Sequence, residues 1–199
     1  MKPARIVLAV LFLAVLASNV LAISRWNESR GVYDDVCYLR QAHLFQRFGL
    51  AGLDTDISRD DDRYLAGKLR EIGFAEWNDP ARVPCHTPIE KTKKFVLQYP
   101  PGTGAALALF PAGFQVIPLY VVANLVVLAA ALAALFRASS PQSLTLAAIF
   151  GFGALYLMIN PTKASYSMAP TMIVCSVAGL LSARLLASGA ARERLISNV

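Results

Sequence analysis

Histidine is nearly absent from this chain: 199 residues contain only His43 and His86. They stand in no H-x-x-x-H or similar spacing, so a metal centre is not indicated and both read as structural or solvent-facing. Charge is sparse at 16% of residues. No basic run interleaved with aromatics offers a platform for stacking bases, so nucleic acid is not an expected partner. The net charge of +6 is what excess Lys and Arg beside membrane segments produce. No G-x-S-x-G nucleophile elbow occurs. The GTGA at 102–105 lacks both the Walker lysine and the dinucleotide-binding spacing.

Apolar residues are abundant, at 56% with a mean hydropathy of +0.49. That excess points to membrane segments. The first apolar run, IVLAVLFLAVLASNVLAI, covers 6–23 without a charge. Its length just spans a hydrocarbon core of about 30 Å. It reads as a first transmembrane helix over 1–23. The alternative is a signal peptide, given Lys2, Arg5 and the small residues near Ala22. A second apolar region at 104–136 is broken by Pro111, Gly113 and Pro118, because proline removes a backbone donor and clashes with the preceding turn. It predicts a short broken helix within 104–114, then a span over 115–136. Further spans are expected at 143–159 and 168–187.

The fold class expected is therefore an all-α polytopic membrane protein. About four transmembrane helices carry an outer loop domain over 24–103, and 104–199 forms a three-helix membrane region. Lys2, Arg5, Arg137, Arg184, Arg192 and Arg194 fall on one side if both termini are cytoplasmic. That orientation puts the loop and the NPTKASYS turn at 160–167 on the outer side, as in a bacterial inner membrane.

The loop is too apolar and too patterned for a linker. Val36, Leu39, Ala42, Phe45 and Phe48 recur every three residues and predict a helix over 36–50. Leu65, Leu69 and Ile72 predict a second over 61–72, with Gly73 as its C-terminal cap. Both are short and amphipathic. Cys37 and Cys85 lie in this loop, where an outer compartment permits a disulfide; two unpaired thiols are the equal alternative. Cys175 falls within the last span as a small apolar residue.

Several polar groups are candidates for chemistry. Asp34 and Asp35 precede the first loop helix, where one carboxylate serves as a cap and the other is left over. Asp54, Asp56, Asp60, Asp61 and Asp62 form an acidic cluster. It fails the calcium-loop pattern at Ser58 and Arg59 and reads as a solvated turn with an acid-rich helix start. Lys91, Lys93 and Lys94 suit lipid phosphates or simply solvent beside the membrane. Tyr99-Pro100-Pro101-Gly102 is a stiff extended segment that delivers the chain to the next span.

These parts together resemble the start of a GT-C superfamily membrane glycosyltransferase, of the protein mannosyltransferase and aminoarabinose transferase type. The likeness covers roughly residues 5 to 136. Such enzymes open with one span and a large outer loop bearing D-[DE]-x-x-Y-x-x-x-A. Asp34, Asp35, Tyr38 and Ala42 fit every fixed place. The family loop closes on [HYK]-P-P, matched here by Tyr99, Pro100 and Pro101.

The resemblance implies transfer of a sugar from a polyprenyl-phosphate carrier to an acceptor on the outer face, with inversion. It implies Asp34 as general base and Asp35 as a supporting acid. Tyr38, Tyr99, Pro100 and Pro101 fall in the substrate-binding set, joined by Arg40, Lys93 and Lys94 as cations for the departing lipid phosphate. No cofactor is expected beyond the lipid-linked sugar donor as substrate, and a divalent metal is not indicated. Family members carry more spans than the four read here, and the later ones hold the carrier, so the expectation is a truncated relative inactive alone, a fragment of a longer reading frame, or one half of an assembly whose membrane partner supplies the missing helices. A different class of protein also fits: a non-catalytic membrane subunit that packs through Cys175, Gly179 and Ala183. A receptor-like outer domain fits less well, because the loop is short.

Overall fold

A computed structural model describes residues 2–27, 32–158 and 165–197, with side chains described as far as residue 187. The stretch 160–164 of the NPTKASYS turn and the side chains of Arg192 and Arg194 lie outside the described residues. The chain is mostly helical: α1 Lys2–Ile23, α2 Tyr33–Phe48, α3 Tyr64–Glu71, α4 Gly102–Ala108, α5 Val116–Arg137, α6 Pro141–Leu157 and α7 Met168–Ser197. Three helices are long and apolar enough to cross a membrane: α1, α5 and the stretch Met168–Ala187 of α7. Helix α6 is apolar but only 17 residues long.

Helix α5 is the hub, packing on α1, α6 and α7. Two amides tie this bundle together. The Asn19 side chain donates to Asn124 Oδ1 at 2.8 Å and to the Leu155 carbonyl at 2.9 Å. Asn124 in turn donates to the carbonyls of Tyr120 and Met158. Leu155 and Met158 end α6, whose last carbonyls have no partner within their own helix. The pair thus joins α1 and α5 while closing α6. At Gly151 a Cβ would lie 2.5 Å from the Phe12 ring, so only glycine lets α1 and α6 meet there.

The polar segment between α1 and α4 holds an element the sequence did not lead us to expect. An antiparallel hairpin, β1 His86–Ile89 and β2 Lys94–Leu97, replaces the loop. An isolated hairpin is barely stable. This one is held at its base by a Cys37–Cys85 disulfide. The free edge of β2 is paired by side chains, with Leu97 N–H donating to Thr55 Oγ1 and Phe95 N–H to Asp56 Oδ1.

Helix α3 starts at Tyr64 rather than 61, because Arg63 is left-handed, with φ 57°, and breaks the helix before it. Asp60 and Asp62 instead accept the free N–H groups of Leu65, Ala66 and Tyr64. Its C-terminus ends as expected. Gly73 is left-handed, its N–H reaches the Arg70 carbonyl, and Phe74 N–H reaches Leu69. That double bond pattern is a Schellman motif. The buried face, Leu65 and Leu69, packs on Val36 of α2.

Candidate functional site

Helix α2 begins at Tyr33, three residues before the expected start, so Asp34 and Asp35 lie inside its first turn. Neither is the N-cap. That place falls to Val32, whose side chain caps nothing. Two carboxylates in a first turn still favour the helix, because they face its positive end. Their surroundings then separate them. Consecutive helical residues point about 100° apart, and here one points out and the other in.

Asp35 is 2% exposed. Its Oδ1 accepts the Tyr166 N–H at 3.0 Å and the Ser165 hydroxyl at 3.2 Å. Ser165 is itself held, since its carbonyl accepts the Tyr120 phenol at 2.9 Å. Burial pushes the Asp35 carboxyl up to about 6, with Asp34 adding repulsion, against the lowering effect of its hydrogen bonds.

Asp34 is exposed. The Tyr99 phenol hydrogen-bonds to its carboxylate; burial, and then this contact, push that phenol up to about 12. Tyr99 stacks on Tyr38 with ring centroids 5.2 Å apart. Tyr38 stands four residues after Asp34, on the same helical face. The structure thus brings together Asp34, Tyr38 and Tyr99 from the two matched motifs.

Tyr38 and Pro100 also line a cavity of about 430 Å³. Gly102 and Thr103 of the α4 start form one wall; Ser167, just before α7, and Pro170, Thr171, Val174 and Cys175 of α7 form the other. The volume lies within the usual range for small-molecule sites, about 300–1,000 Å³. From Pro170 to Cys175 the cavity follows α7 for about 7.5 Å, at 1.5 Å per residue. It therefore runs from the polar segment along an apolar helix.

The proposed cations lie elsewhere. Arg40 is 1% exposed. Its guanidinium donates to the carbonyls of Thr55 and Asp56 and to His86 Nε2 at 3.0 Å. It pins the acidic loop to the hairpin. Lys94 pairs with Asp54 at 3.1 Å, and Lys93 sits exposed in the hairpin turn. At ~3.3 Å per residue, roughly 10 Å of strand separates Lys94 from Leu97. None of the three lines the cavity.

The acidic cluster is consumed by structure. Asp54 meets Lys94 and Arg59, Asp61 meets Arg47, and Asp62 meets His43 at 2.6 Å. Cationic partners hold the Asp54 and Asp61 carboxyls below their ordinary range. Cys37, Cys85 and His86 have donor atoms within 4.8 Å of one another, a metal-like grouping. It fits a metal poorly, because the sulfurs are joined and His86 Nε2 accepts from Arg40. With Nδ1 donating to the Pro84 carbonyl, the ring is neutral, and burial pulls it down to about 4.

Three contributors escaped the sequence reading: Tyr120, Ser165 and Tyr166. Nothing local marks them, since they act only once α5 and α7 meet α2. Asn19 and Asn124 of the bundle were not singled out either, although an amide inside an apolar run is a local signal that could have found them. No family model, curated protein or solved structure matches this chain at a significant level.

Proposed function

We propose that this chain is a glycosyltransferase-like membrane protein of the GT-C kind, with four membrane segments, α6 being the shortest. It transfers a sugar from a polyprenyl-phosphate donor to an acceptor on the outer face. One observation carries the reading. The exposed Asp34 carboxylate lies by Tyr99 of the YPP segment, and Tyr99 stacks on Tyr38, which lines a cavity running along α7.

The chemistry follows from that placement. An acceptor hydroxyl attacks the anomeric carbon and must lose its proton. Asp34 takes it, a role that contributes ~10²–10⁴-fold to such reactions. The carbon–phosphate-oxygen bond breaks and the polyprenyl phosphate departs. Tyr99, still protonated at neutral pH, holds the base in position. The apolar wall of α7 takes the first part of the carrier chain, and Thr103, Ser167 and Thr171 supply hydroxyls near its head. Asp35, buried behind, keeps the start of α7 against α2. Further helices from a partner complete the donor site.

The test is Asp34→Asn in membranes supplied with a polyprenyl-phosphate sugar and an acceptor. Transfer is expected to collapse while insertion stays intact; full transfer refutes the reading.

A second reading has its own observation. Helix α7 exposes Val174 at 66% and Leu181 at 53%, and a Cβ on Gly179 would meet nothing. The small residues Cys175, Gly179 and Ala183 suit close contact with another helix. In that case the chain is a non-catalytic subunit, and it co-purifies with a larger membrane partner.

A further inference from the structure

A second cavity lies between α5 and α6, with Ser176 of α7 at its side. It holds about 500 Å³ and is walled by Val127, Ala131, Ala134, Leu146 and Phe150. Arg137 and the Ala138 backbone form one end. From Val127 to Arg137 the groove follows α5 for about 15 Å. That is half of a hydrocarbon core of about 30 Å, the depth of one leaflet. An occupant of that length is a single acyl chain.

The charged end is asymmetric. Arg137 is exposed, and no described carboxylate pairs with it. Arg5 of α1 reaches the same corner and donates to the Ala138 carbonyl. Its Nε is buried without a partner. No Asp or Glu lines the groove. The exposed Arg137 guanidinium therefore stands at the mouth of an apolar slot, with Arg5 held on the neighbouring Ala138 carbonyl, so an anion is drawn there and a zwitterion gains less.

We propose that this groove binds one anionic glycerophospholipid, with an acyl chain along α5 and the phosphate on Arg137. The site stands apart from the glycosyltransferase reading, because α5 runs for 22 residues and places Arg137 at its far end from Val116.

The experiment is native mass spectrometry of the full chain, released from detergent carrying equal dioleoyl phosphatidylglycerol and dioleoyl phosphatidylcholine. The unmodified chain is expected to retain phosphatidylglycerol. Arg137→Gln should lower that retention about fivefold, the size of one cation's attraction to an anionic lipid, and Arg137→Lys should restore most of it. Ala134→Phe, at an exposed lining position, should fill the slot and lower both lipids. Inorganic phosphate should not displace the bound lipid. Equal retention of the two lipids overturns the proposal. So does unchanged retention in a folded Arg137→Gln variant, or displacement by phosphate alone.

Discussion

The Tyr166 backbone N–H donates to the Asp35 carboxylate at 3.0 Å across 131 residues of chain. This single contact joins the first turn of α2 to the start of α7, and so sets one wall of the cavity against the other. It also has a pH signature. The folded carboxyl titrates at about 6 against an ordinary 3.8, so the native state binds the extra proton between those values. Stability from this group is full below the lower value and is lost as pH rises through the upper one.

The lost amount is on the order of 3 kcal/mol. Asp35→Asn removes the titration but keeps an oxygen for Tyr166. The thermal midpoint of the variant relative to the parent should rise between about pH 4 and about pH 7. A constant difference across that range, read by thermal unfolding in detergent, contradicts the assignment. Using the difference cancels Asp54 and Asp61, whose depressed carboxyls act in the opposite sense.

The Cys37–Cys85 bridge closes a separation of 48 residues. A chain-entropy account gives it about 4 kcal/mol. Replacing both cysteines by serine should lower the unfolding midpoint, and it should raise amide exchange at Phe95 and Leu97 before it does so in α5. Equal protection of the hairpin in both forms counts against the bridge as its anchor.

Two glycines make a contrast. A Cβ at Gly52 would lie 2.6 Å from the Leu44 backbone, which cannot yield, whereas at Gly67 in α3 it meets nothing. Gly52→Ala should cost about 1–3 kcal/mol by forced displacement. Gly67→Ala should stabilise by about 0.5–1 kcal/mol, because alanine loses less backbone freedom in a helix. Denaturant or thermal titration of the two variants checks the opposite signs.

The Asn19–Asn124 bond should be read by a double-mutant cycle with leucine at each site. Coupling of about 0.6 kcal/mol is expected, with a ceiling near 1.7 for such bonds within membranes. A coupling indistinguishable from zero shows that the two amides act separately, through the α6 carbonyls alone.

The long apolar helices were legible because length and composition alone mark them. The ends of α5 and α6 fall within two residues of those read from the run of apolar residues. The hairpin was not legible. Its strands have only four residues each, and their pairing depends on Thr55, Asp56 and a disulfide distant in sequence. Arg40 looked like a free cation because sequence shows charge and not burial. Its partners, Thr55, Asp56 and His86, come from other elements. The aspartate pair was legible as a pair. Which member turns outward depends on where α7 begins, and no local pattern carries that.

The most direct test compares Asp34→Asn, Asp35→Asn and Tyr99→Phe in one transfer assay with a radiolabelled polyprenyl-phosphate sugar. The protein is assembled with whatever membrane partner co-purifies. The account predicts that Asp34→Asn lowers kcat by ~10²-fold or more, that Tyr99→Phe lowers it less, and that Asp35→Asn retains most of it. Transfer by Asp34→Asn at the parent rate, in a protein that still inserts and folds, would contradict the account.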